Sequence, residues 1–286
     1  MTAPAVPSFL TATMKLSVPM NGLLVPFKHV VNNLQRFCRP LMFHNDYPVF
    51  DLSCSGSCLL FRHAGRNLML CTRHQIVNPG RDPAEIVLIV DEVDGRKTAL
   101  TPNEATRVTL GLPELANLED ILLTEYASER NGRNLNPQFF ELDLDSTADL
   151  RNVSPEKVNL IFAIGYPTRF SSFDTKIDEI DGSATGLDIV SRWAKLYLEL
   201  ATPSAWDLAC RIPLQLHKDY HAEIGDPDGF SGSPVFFLYQ DDSKQAHLGF
   251  AGMITDASNE GRFAMYEARD IRRMVVESQQ TPATPR

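Results

Sequence analysis

Residues 57–74 read Ser-Cys-Leu-Leu-Phe-Arg-His-Ala-Gly-Arg-Asn-Leu-Met-Leu-Cys-Thr-Arg-His. Two strand-sized apolar runs, 57–61 and 67–71, flank a short polar link that contains a glycine, which predicts a β-hairpin. The stretch ends on His74, directly after the second run. Similar strand-like segments recur on both sides, at 86–93, 105–110 and 120–124, then at 158–164, 235–239, 247–255 and 262–268. Residues 193–201 fit strand or helix, and their neighbours favour strand. Helical periodicity is confined to 26–37, with Phe27, Val30, Val31, Leu34 and Phe37 on one face, and to 268–278, with Ile271, Met274 and Val275 on one face. Short strands at close spacing with helices only near the ends predict an all-β fold. No internal repeat is visible.

Composition narrows the function classes. The 286 residues are 43% apolar and 22% charged, enough for a packed core. A net charge of −9 argues against general affinity for nucleic acid or anionic membrane. The apolar runs are strand-sized and none approaches a membrane span. Residues 1–20 read as a loose arm without a cationic segment feeding an apolar run, so no secretory signal is expected. Five cysteines (Cys38, Cys54, Cys58, Cys71, Cys210) are an odd number, consistent with reduced thiols and a cytoplasmic location.

Three short segments carry chemistry. Asp228-Gly229-Phe230-Ser231-Gly232-Ser233-Pro234-Val235 leads into a strand. A nucleophilic serine needs its hydroxyl on a tight turn with backbone N–H groups near the developing oxyanion, and glycines permit such a turn. The bland alternative is an ordinary Gly/Ser/Pro turn. His74 stands at the end of a buried strand, where a base can be held rigidly. Asp120, in Glu119-Asp120-Ile121-Leu122-Leu123, stands at the mouth of another; alone it is equally a surface carboxylate.

Taken together, the order His, then Asp 46 residues later, then Ser after 111 more, resembles the trypsin-like (chymotrypsin-fold) serine peptidases. Cys71-Thr72-Arg73-His74, Asp120-Ile121-Leu122-Leu123 and Gly229-Phe230-Ser231-Gly232-Ser233-Pro234 match that family's base, acid and nucleophile elements, over roughly residues 50–275. The resemblance implies two packed antiparallel β-barrels, divided as 1–47 (arm and short helix), 48–140 (first barrel), 141–267 (second barrel) and 268–286 (C-terminal helix and tail), with the link between halves inside 127–157. It implies a serine endopeptidase with His74, Asp120 and Ser231 as triad, an oxyanion hole from the Gly229 and Ser231 N–H groups, and no cofactor. The alternative is a catalytically silent member of the fold that binds peptides or scaffolds.

The resemblance also places pocket walls at 225–228, at Thr255, Asp256 and Ala257, and around Ala264. Asp226 there would favour a cationic side chain, or, with Asp228, simply build a turn around Pro227. Two positions depart from the family. Phe230 stands where many secreted members have the Asp that pairs with a freed N-terminus, so no activation by N-terminal trimming is expected. Ser233 stands where they prefer Gly.

Other motifs were weaker. Ser233 occupies the second glycine position of an α/β-hydrolase elbow, and a strand follows instead of a helix. Cys54, Cys58, Cys71 and His74 have spacings open to zinc, but a metal would consume the base, so none is expected. His217-x₃-His221 has Lys218 where a metalloprotease has Glu. Expected partners are a protein or peptide substrate and a regulatory protein, with the polar excursion at 168–188 a candidate for gating or docking.

Overall fold

The computed structural model describes residues 13–47, 51–91, 97–102, 104–107, 117–204, 210–219 and 226–280. The chain is mostly β. The hairpin β1 (Ser17–Met20) and β2 (Leu23–Pro26) is followed by a short helical segment. A sheet then forms from β3 (Cys38–His44), β4 (Leu52–His63), β5 (Arg66–Thr72), β6 (Ile86–Asp91), β7 (Lys97–Leu100), β8 (Glu104–Arg107) and β9 (Ile121–Tyr126), paired in the order β7-β6-β3-β4-β5-β9-β8. A small hairpin, β10 (Glu129–Arg130) with β11 (Arg133–Asn134), precedes β12 (Phe140–Glu141), which pairs parallel to β4.

The second half is a closed antiparallel barrel. Its strands are β13 (Val158–Gly165), β16 (Ala194–Leu200), β17 (Ile212–Leu216), β20 (Arg262–Glu267), β19 (Ala246–Ala257) and β18 (Pro234–Gln240), in that order round the ring. The hairpin of β14 (Ser171–Ile177) and β15 (Ala184–Ser191) stands off it. The helix Ala268–Gln280 closes the chain, packing Ile271, Met274 and Val275 inward as its periodicity predicts.

Strand alternation builds three core layers. On β4 and β5, Leu59, Phe61, Leu68 and Leu70 face one cluster while Cys58, Leu60, Met69 and Cys71 face another. On β13 and β18, Phe162, Ile164, Phe236 and Leu238 join the first cluster, whereas Ile161, Ala163, Val235 and Phe237 fill the barrel interior. Both faces of these strands are buried, which is why they read as unbroken apolar runs. The shared middle cluster packs the sheet against the barrel.

Several expectations shift in detail. The sheet begins at Cys38, ahead of the boundary placed at 48, because Cys38–His44 pairs with both β4 and β6. Pro40 hid this strand; it sits beside a register shift between Pro40 and Met42, where a missing N–H is tolerated. Of the stretch 26–37, Pro26 ends β2 and residues 27–37 form two 3₁₀ turns around the α-helix Val30–Leu34, with Val30, Leu34 and Phe37 buried. The polar stretch 127–138 is a local hairpin whose turn uses Asn131 and Gly132 at positive φ, and Phe139 and Phe140 return to the core. The excursion at 168–188 is mostly a regular β-hairpin. Among the described residues the first sheet runs from β7 to β8 without a closing pairing. Parts of the expected strands 86–93 and 105–110, the loose arm through residue 12, Gly225 and His221 lie outside the described residues.

Candidate active site

The register of β5 on β9 pairs Thr72 with Ile121, which places the residues just beyond them side by side. His74 opens a four-residue helix immediately after β5, and Asp120 immediately precedes β9. His74 Nδ1 lies 3.0 Å from Asp120 Oδ2 and 3.1 Å from Oδ1. The His74 backbone N–H also donates to Asp120 Oδ1 at 2.9 Å, and the Arg73 N–H to the Asp120 carbonyl at 2.7 Å. One carboxylate thus fixes both the ring and the main chain of the histidine. Burial opposes charging His74, but the hydrogen bond and charge of Asp120, aided by Asp256, outweigh it, so its pKa rises above 6.5; the charge of Arg211 works the other way.

Ser231 comes from the turn into β18. Phe230 N–H donates to the Pro227 carbonyl, Ser233 N–H to Phe230 O, and Gly232 N–H to Ile254 O. Gly229 and Gly232 hold φ of +94° and +81°. A Cβ at Gly232 would collide with the Ser57 carbonyl, and one at Gly229 with the backbone of 166–168. Phe230 is buried in the barrel interior, edge-on to Phe263 at 6.3 Å, so apolar packing anchors the turn. The N–H groups of Gly229 and Ser231 donate to no protein acceptor among the described residues.

Ser231, His74 and Asp120 line one cleft of about 1070 Å³. The Ser231 hydroxyl donates to the Thr255 carbonyl at 2.9 Å, and no hydrogen bond joins it to His74. Thr255, Asp256 and Ala257 line the same cleft, as does Asp226, whereas Ala264 is buried behind it, its carbonyl accepting from Thr255 Oγ1 at 3.3 Å. Asp226 is exposed and its Oδ1 accepts the Asp228 N–H at 3.0 Å, the turn-building role. Among the described residues no group of three His, Cys, Asp or Glu side chains could hold a metal ion, and no helix is long and apolar enough to cross a membrane.

Four positioning residues had no distinguishing signal in the sequence. Gln75, adjacent to His74, is buried and joins the two halves. Its Nε2 donates to the carbonyls of Ser55 (3.0 Å), Ser57 (3.3 Å) and Ser231 (3.0 Å), while its Oε1 accepts from Thr72 N–H (2.9 Å) and Oγ1 (2.8 Å). Ser57 donates its N–H to Ser231 O at 3.0 Å and its Oγ to Gly229 O at 2.7 Å, and that Oγ accepts the Tyr166 N–H at 2.8 Å. Tyr266 donates to Asn117 O at 2.8 Å at the cleft floor. Burial holds its phenol well above the usual range, with the nearby Arg211 charge opposing that shift. Arg211 lies over the Tyr266 ring, 3.6 Å from its centroid. No protein-family model matches this chain, and no curated protein matches it.

Proposed function

We propose that this chain is a serine endopeptidase of the trypsin-like kind, with the first sheet and the closed barrel acting as its two packed barrels and the cleft between them as its active site. The observation that carries the reading is the meeting in one cleft of a carboxylate-oriented histidine and a serine on a glycine-flanked turn with two uncommitted N–H groups. With Nδ1–H given to Asp120, the Nε2 atom of His74 carries the lone pair. In the mechanism Ser231 Oγ attacks the carbonyl carbon of a peptide bond as its proton passes to His74, the C–N bond breaks as His74 gives that proton to the leaving amine, and a water deprotonated by His74 then hydrolyses the acyl-enzyme ester, restoring the Ser231 hydroxyl. Asp120 stabilises the imidazolium, and the Gly229 and Ser231 N–H groups would meet the oxyanion, one such donor being worth about 10²–10³ in rate. The hydroxyl must first leave the Thr255 carbonyl; catalytic hydrogen bonds commonly tighten only when substrate is bound.

That hydroxyl orientation also favours a second reading, a silent peptide-binding member of the same fold. A fluorophosphonate probe separates the two. Labelling at Ser231 that Ser231→Ala abolishes and His74→Ala strongly reduces supports the peptidase. No labelling of folded protein, under conditions that label a known serine peptidase, supports the binding module.

A further inference from the structure

The cleft contains a cation that the triad mechanism does not use. The Arg211 side chain is only 7% exposed, yet it lines the cleft beside Ser231, His74 and Thr255. Among the described residues its Nε and Nη1 are buried without a hydrogen-bond partner. The nearest carboxylate, Asp256 Oδ2, is 3.6 Å from Nη1, outside hydrogen-bonding range; it accepts Thr255 Oγ1 at 2.7 Å, and its side chain is half exposed. A buried guanidinium with unfilled donors is costly, and such groups in native proteins call for a functional explanation.

We infer that Arg211 is the specificity-determining residue of this cleft and takes a Glu or Asp side chain of the bound peptide. Stacking against Tyr266 uses the face of the guanidinium and restricts its rotation, while the N–H donors radiate from its edge. A planar fork held that way matches a carboxylate and suits no cationic or apolar side chain. The other charges in the cleft do not reverse the preference. Asp120 is engaged with His74, Asp256 is half exposed, Asp226, Asp228 and Glu119 are exposed, where water and salt screen them, and Arg73 adds a second cation to the lining. The carboxylate of a substrate, unlike these, would be desolvated against Arg211.

The inference rests on the peptide-cleft reading, and a two-arm experiment keeps the two separable. A position-scanned peptide series carries Glu, Gln or Lys at each site in turn. Cleavage is measured with the full chain, and binding by fluorescence anisotropy with the Ser231→Ala chain. At one position Glu should exceed Gln by about tenfold to a hundredfold, the range for a hydrogen bond to a buried charged group. Arg211→Gln should abolish that ratio, and Arg211→Lys should retain part of it. Equal handling of Glu and Gln at every position by the chain with Arg211 intact overturns the inference, as does a Lys preference, or the absence of both cleavage and binding across the series. That comparison needs no Arg211 variant, so a misfolded variant cannot obscure it. A Glu preference in binding without any cleavage refutes the peptidase reading and leaves the Arg211 assignment standing; cleavage without a Glu preference does the reverse.

Discussion

Replacing Gln75 should expose how the serine turn is held. Its amide makes five buried or partly buried hydrogen bonds, three of them from Nε2 to carbonyls at 3.0–3.3 Å. Gln75→Ala strands those partners, of which the Ser231 carbonyl keeps the Ser57 N–H. With a net loss of roughly 0.5–1.5 kcal/mol per bond, and more for partners left unpaired, the cost is about 3–5 kcal/mol. At about 2–4 °C per kcal/mol for a chain of this class, the Tm should fall by roughly 6–20 °C. Gln75→Glu is the sharper variant, since it keeps the shape but turns a donor into an acceptor facing three carbonyl oxygens. The introduced carboxyl must stay protonated in the fold, so its folded pKa rises above the unfolded value of about 4.3. A raised folded pKa gives stability that is complete below the unfolded pKa and lost as pH climbs through the folded one. Urea unfolding of Gln75→Glu should therefore show a smaller deficit against the parent at pH 4 than at pH 7, where it should reach several kcal/mol, while Gln75→Ala shows little such slope. A Gln75→Glu chain whose deficit is the same at both pH values would refute the assigned roles of these hydrogen bonds.

Three further outcomes follow from the site and core. His74 must be neutral to accept a proton and its pKa is raised, so kcat/KM should fall on acidification through a midpoint above 6.5. Asp120→Asn, which leaves burial dominant, should move that limb to lower pH and slow turnover by about 10⁴; an unmoved limb would separate His74 from the rate. Phe230→Ala should cost about 3–5 kcal/mol in urea unfolding by opening the barrel core, and a loss under 1 kcal/mol would contradict that packing. Burial raises the Cys58 thiol to about 12 and lifts Cys38 and Cys71 well above normal, so a thiol reagent on folded protein should modify Cys210 and, more slowly, Cys54, sparing the other three until denaturant is added.

Much of the architecture was legible along the chain because strand alternation is local. The hairpin at 57–71, the runs at 120–124, 158–164 and 235–239, and the terminal helix each occupy the structure as their periodicity predicts. Residues 193–201, ambiguous by period, became strand because Leu196 and Leu198 face the barrel core. The strand at Cys38–His44 is not legible locally, because Pro40 reads as a breaker unless the bulge beside it is known.

By itself the sequence determined which faces of the strands are apolar and which residue types could do acyl-transfer chemistry, and in what order they come. Only the tertiary structure decided that a histidine and an aspartate 46 positions apart share hydrogen bonds, that Gln75 reaches a carbonyl 156 positions away, and that the Ser231 hydroxyl rests on Thr255. It alone brought Arg211 onto Tyr266 at the cleft. Periodicity is set by neighbours in the chain, whereas the partners of a buried polar group are set by which distant backbones pack together, and no local pattern encodes that.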